Sequence, residues 1–232
     1  MLAVEWIGLV LLIIFCSLDR TAVGQFQLGR PLVCASAAGY LLGVFPLALQ
    51  LGLMIELLWL MRVPVGAAIA PDDTSVSIGG VVLLWAFSGG GASQDMVVLI
   101  LVALVCLVTA EIGKLLDIHA RHRNEERFQQ AVSHLADQCW QQLERNHLRC
   151  TVSFALSGLV SVTAVVAIGW IILLASRPFW DVLSLGHPEI LKLIFPVVGV
   201  AAMLAVLQVR RTIGLFVGGF LLTYSFLCVV NG

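Results

Sequence analysis

The chain has 232 residues, of which 60% are apolar and 12% charged, and its mean hydropathy of +1.01 is too high for an ordinary soluble domain. Its 13 basic and 14 acidic residues leave a net charge of −1 and no basic face of the kind nucleic acid requires. What remains is a membrane protein with room for roughly seven or eight apolar runs of about 20 residues.

The first apolar run, residues 6–18, follows Glu5 with no Lys or Arg before it, so it lacks the positive region of a secretory signal and reads as a retained helix. A polar break then runs from Ser17 to Pro31. If it folds back into the membrane, Asp19, Gln25 and Gln27 supply both donors and acceptors, the mixture that sugar hydroxyls require. A plain surface loop is the other reading.

Residues 31–55 are uncharged and lead into Glu56, the one formal charge between Pro31 and Met61. A carboxylate at the centre of a spanning helix costs about 2.5–3.5 kcal/mol on insertion scales. Such a group is expected either to face a polar cavity or to pair with Arg62, although a spacing of six suits direct pairing along a helix poorly. Downstream, Pro64 and Pro71 bracket Gly66 and forbid an uninterrupted helix. Broken helices at membrane depth are tolerated where they line a cavity or are buried in protein, and transporters place polar substrates at such breaks. Asp72 and Asp73 follow, and a helix cap accounts for one of them more easily than for both. Trp59 and Trp85 offer apolar faces to a pyranose, or else simple packing.

Further uncharged runs cover 74–94 and 96–110. Between Lys114 and Arg149 the composition changes: 36 residues hold 11 of the 27 charged side chains and four of the five histidines. Phe128, Val132, Leu135, Cys139 and Leu143 recur at helical spacing, with Trp140 beside them. This predicts an amphipathic helix at headgroup level or against a soluble partner. His119, His122, His134 and His147 read as solvated surface groups. Beyond Cys150, uncharged runs cover 150–176, 193–209 and 212–232. The six Lys and Arg of 114–149, against a single Arg177 before Lys192, place the polar segment on the cytoplasmic side. Cys16, Cys34, Cys106, Cys139, Cys150 and Cys228 form no metal-ligand or C-x-x-C spacing and read as small hydrophobes.

The runs lack the alternation of an outer-membrane barrel, so the fold class is an all-α integral membrane protein. It is a bundle of transmembrane helices with broken or re-entrant segments and an amphipathic connector, and inverted repeats are an arrangement its two apolar halves would permit. Three parts are expected: a membrane half at 1–113 with the polar site, the connector at 114–149, and a second membrane half at 150–232.

Four patches, in order, resemble the membrane-embedded IIC component of the mannose-type (mannose, fructose, sorbose) phosphotransferase system. They are Asp19 with Arg30-Pro31-Leu32-Val33, Gly39-Tyr40-Leu41-Leu42-Gly43, the Gly52–Leu60 stretch around Glu56, and Pro64-Val65-Gly66-Ala67-Ala68-Ile69-Ala70-Pro71-Asp72. Ala70 stands where many relatives have proline, and Phe45-Pro46 where Gly-Asp is usual.

The resemblance implies a bacterial inner-membrane permease subunit that binds a hexose-like sugar. It would work in a hetero-oligomer with membrane subunit IID, while soluble IIB, recharged by IIA, phosphorylates the sugar. On that reading Glu56 and Asp72 are the leading sugar contacts and Asp19 and Gln27 the next. No residue of this chain is a phosphoryl acceptor, and no cofactor or metal is called for. Three other classes fit the bare residues: an ion-coupled secondary transporter with a titrating Glu56, a non-transporting sensor or scaffold, and an intramembrane hydrolase with Asp72 paired to Asp19 or Glu56.

Overall fold

The computed structural model describes residues 3–59, 69–89, 91–136, 140–180, 197–201, 214, 217–222 and 224–225. The side chains of residues 92–93 and 133–136 lie outside that description, and with them Leu135 and His134 of the expected amphipathic stripe. Arg62, Pro64, Gly66, Cys139, Cys228 and most of the last two apolar runs also lie outside it.

The polar break after Leu18 ends the first helix, α1 (Ala3–Thr21), with Arg20 in its last turn. Pro31 opens α2 (Pro31–Leu42), its fixed φ suiting the first helical turn. Gly43, at φ 74°, closes α2 in a left-handed cap whose N–H groups reach the carbonyls of Gly39 and Tyr40. The chain then reverses into α3 (Phe45–Trp59).

The uncharged run 31–55 is therefore two short antiparallel helices packed on each other rather than one span. The 12 residues of α2 and the 15 described residues of α3 extend roughly 18 and 22 Å, against a hydrocarbon core of about 30 Å. Close approach of the pair rests on glycine: a Cβ on Gly39 would collide with Ala48, and one on Gly52 would come within 2.8 Å of the Pro31 carbonyl.

Asp72 caps α4 (Asp73–Phe87) by accepting the Ser75 N–H at 3.1 Å. Every residue of α4 from Thr74 to Leu84 is buried, and the helix touches α1, α2, α3, α5 and α6. A helix this short and apolar all round belongs inside a bundle. Cys34 and Cys106 are buried free thiols against it, bonded to the carbonyls of Thr74 and Val76.

Helices α5 (Ala92–Ala136) and α6 (Trp140–Ser176) are long enough to cross a membrane, and α6 is followed by a 3-10 turn at Arg177–Phe179. Their 45 and 37 residues span roughly 68 and 55 Å, far more than a bilayer core needs. The polar segment 114–149 is thus no separate interfacial helix. It is the continuation of both spans into a helical hairpin, so α5 and α6 run through both expected part boundaries. Pairs one turn apart, Asp117 with Arg121 and Glu125 with Gln129, sustain the helix in water. Phe128, Val132 and Trp140 of the predicted stripe are exposed on the hairpin. Among the described residues there is no strand.

Candidate functional site

The end of α1 carries Asp19 and Arg20, two adjacent residues with different tasks. Asp19 is buried, and its two oxygens accept the N–H groups of Phe26 (2.6 Å) and Leu28 (2.8 Å). These bonds fold residues 22–30 back over the helix end. Within that loop Gly24, Gln25 and Gln27 all have positive φ, at 79°, 54° and 67°. Glutamine rarely occupies that region, and such outliers persist where surrounding bonds over-determine them. Here Asp19 supplies the bonds. Thr74, on the first turn of α4, donates its hydroxyl to the Gly29 carbonyl at 2.8 Å and ties the loop to the bundle.

Arg20 points the other way, into a buried ionic network. Its Nη1 is 2.5 Å from Asp72 Oδ1 and 3.9 Å from Asp73 Oδ1, and its Nη2 is 3.3 Å from Asp117 Oδ2. Asp117 also takes Arg121 Nε at 3.1 Å, and Ser161 of α6 donates to Asp72 Oδ2 at 2.9 Å. One guanidinium thereby joins α1, α4 and α5, and through Asp72 reaches α6. Paired and hydrogen-bonded in this way, the buried charges keep their partners.

Glu56 lies on the last turn of α3 that the structure describes. Its Oε1 is 2.7 Å from Arg30 Nη1, and its Oε2 accepts the Leu32 N–H at 3.3 Å. The partner is thus a residue 26 positions earlier, while Arg62 lies outside the described residues. Arg30 Nε also bonds Gln27 Oε1 at 3.1 Å, so Glu56, Arg30 and Gln27 form a chain from α3 to the loop.

Where the loop, the end of α1 and the start of α4 meet, a polar cavity of about 280 Å³ opens. It is lined by Asp19, Arg20, Gln25, Gln27, Gly29, Arg30, Asp73 and Thr74. Of the four site residues read from the sequence, Asp19 and Gln27 are in its wall. Asp72 stands behind it, capping α4 and holding Arg20, and Glu56 holds Arg30. The wall also contains Arg20, Arg30, Gln25, Asp73 and Thr74. Two adjacent aspartates were the sequence signal for Asp73: Asp72 is the cap, and Asp73 is left to face the cavity.

Two carboxylates sharing a proton would be the mark of a hydrolytic dyad. Here Asp72 and Glu56 each face a guanidinium, and Asp19 faces backbone N–H groups. Among the described residues no three His, Cys, Asp or Glu side chains gather as metal ligands.

A profile of the family described as the PTS system sorbose-specific IIC component matches residues 3–230. The chain belongs to that family. As a IIC subunit it is a membrane component and sugar permease of a mannose-family phosphotransferase system. Two solved structures share its fold. One is the mannose transporter ManYZ in complex with microcin E492, with 19% identity over 97% of this chain and 87% of that one and a TM-score of 0.59. The other is described only as a membrane protein, with 18% identity over 100% and 93% of the two chains and a TM-score of 0.60. No curated protein matches this IIC chain.

Proposed function

We propose that the cavity between α1, the 22–30 loop and α4 is the sugar site of this IIC subunit. The observation that carries the reading is its lining: two carboxylates, two guanidiniums, two primary amides and a hydroxyl around about 280 Å³. This is near the small end of ligand pockets, roughly 300–1,000 Å³. A neutral polyol needs donors and acceptors in comparable number, and neither a bare anion nor an apolar solute would use both.

Gln25, Gln27, Asp73 and Arg30 are the sugar contacts on this reading. Asp19, Glu56 and Asp72 act through others: Asp19 holds the loop, Glu56 orients Arg30, and Asp72 fixes Arg20 and the start of α4. The site lies where short helices break and meet, the kind of setting in which transporters bind polar solutes.

In the proposed cycle the sugar enters the cavity and crosses the bacterial inner membrane. A soluble IIB subunit, charged by IIA, phosphorylates it on the cytoplasmic side, where the basic hairpin of α5 and α6 lies by the positive-inside rule. The membrane partner is IID in a hetero-oligomer, by analogy with the family.

The test is phosphoenolpyruvate-dependent sugar phosphorylation in vesicles carrying this chain, with and without its partner subunits, across hexoses, hexosamines and sorbose. Sugar phosphate is expected only with the complete set. Accumulation of unmodified sugar under a pH gradient alone would replace this reading with ion-coupled transport.

A further inference from the structure

Between α5 and α6 a groove of about 560 Å³ runs along both helices. Its lining changes character along its length. At one end stand Arg123 and Arg127 of α5 with Arg145 and Arg149 of α6; at the other the walls are Leu116, Val152, Leu156 and Val160. Among the described residues no Asp or Glu lines it. Among the described residues Arg123, Arg145 and Arg149 make no salt bridge, and all three are exposed.

Arg127 turns inward, donating to Asn124 Oδ1 and to the Arg149 carbonyl, each at 3.0 Å. Asn124 in turn donates to the Cys150 carbonyl at 3.2 Å. The two helices are locked together beneath the basic end, so the other arginines project from a fixed floor.

The groove lies where both helices pass from apolar to polar sequence. On α6 the uncharged run starts at Cys150, directly after Arg149, and Val160 lies roughly 16 Å further along the axis. Val152, Leu156 and Val160 are exposed apolar side chains within the uncharged run of α6, and Arg145 and Arg149 stand just before that run begins. Uncompensated positive charge joined to an apolar trough has the polarity of an anionic phospholipid. A soluble acidic protein would reach the arginines and leave the trough unused, and a free phosphate would do the same.

We propose that this groove is a binding site for an anionic phospholipid, with its phosphate on Arg123, Arg145 and Arg149 and an acyl chain along Val152, Leu156 and Val160. Basic recesses between helices at the membrane surface recognise such headgroups by charge, and the apolar wall excludes a headgroup alone.

The test uses the full chain purified in detergent, with native mass spectrometry of retained phosphatidylglycerol against phosphatidylcholine. Wild type is expected to prefer phosphatidylglycerol by roughly tenfold or more, and that preference should shrink as salt rises. R123Q combined with R149Q removes most of the preference and either single substitution reduces it, whereas R177Q, a single charge loss just past the far end of α6, leaves it. L156D lowers retention of the lipid, and millimolar inorganic phosphate does not displace it.

Equal retention of the two lipids, or a preference indifferent to salt, overturns the proposal on wild type alone. So does an unchanged preference in the double variant. Displacement by inorganic phosphate would make this a simple anion site. If binding of a soluble subunit tracks the arginines while lipid retention does not, the groove is a protein surface instead.

Discussion

Arg20 Nη1 lies 2.5 Å from Asp72 Oδ1, joining the last turn of α1 to the cap of α4 across 52 residues of sequence. The pair sits between the cavity wall and the interior of the bundle, with the Asp72 side chain only 7% exposed. Removing the cation leaves the buried Asp72 carboxylate without its charged partner and leaves Asp117 to Arg121 alone. Breaking a buried pair from one side costs about 3–5 kcal/mol, whereas removing both charges costs far less. R20Q is therefore expected to lower the thermal midpoint in detergent much more than R20Q combined with D72N, in which the amide oxygen introduced at position 72 can still accept the Ser75 N–H. Equal loss in the two variants would show that the network does not hold the helices together.

The Glu56–Arg30 pair is more open, with the Arg30 side chain 52% exposed, so its expected effect is on binding rather than stability. E56Q weakens the grip on Arg30 in the cavity wall. A mispositioned charged donor costs on the order of one hydrogen bond to a charged group, about 1.5–3 kcal/mol, so KM for sugar should rise roughly tenfold or more. Membrane insertion stays normal. Unaltered uptake kinetics with normal insertion would show that Arg30 needs no such hold.

Asp73 and Gln27 face the same cavity from α4 and from the loop. D73N keeps the shape and removes the charged acceptor, while Q27A removes the amide. Each should raise KM for sugar with little change in thermal midpoint, because neither residue joins the buried network except through the 3.9 Å approach of Asp73 to Arg20. Isothermal titration of the purified complex with the transported sugar checks this. A large stability loss with unaltered affinity would assign both residues to the scaffold.

How far the chain could be read in advance follows from the distances over which its parts interact. Helix breaks were legible because Pro71 and the polar stretch after Leu18 interrupt apolar runs locally. The reversal at Gly43 was written as plainly, with Gly just past one helix and Pro46 in the first turn of the next, but the uncharged run around it masks the signal. Continuity of α5 through Lys114 was legible only in its i,i+4 pairs, since a fall in hydropathy marks the edge of a membrane and not the end of a helix. The partners of Glu56 and Asp72 were not legible at all. Arg30 and Arg20 lie 26 and 52 residues away, and only the packing of α2, α3 and α4 brings them together. The same packing pairs both carboxylates with arginines of the cavity wall.

Gly113 shows how tightly that support is built. It lies on α5 where the apolar run ends, and a Cβ there would stand 2.5 Å from Asp72 Cβ and 2.7 Å from both Asp72 Oδ2 and Ser161 Oγ. Helix propensity alone favours alanine over glycine by roughly 1 kcal/mol. The clash outweighs it, because overpacking a fixed interior costs about 1–3 kcal/mol and the atoms met are a cap and its hydrogen-bond partner rather than the free end of a flexible side chain. G113A is expected to lower the thermal midpoint and to reduce sugar affinity together, since moving Asp72 moves Arg20 in the cavity wall. G218A, at a helical glycine with nothing among the described residues within 4 Å of its Cβ position, should leave both unchanged. A G113A protein with wild-type stability and affinity would mean that Asp72 can shift without disturbing the site, which would remove the structural link between the α4 cap and the cavity at the end of α1.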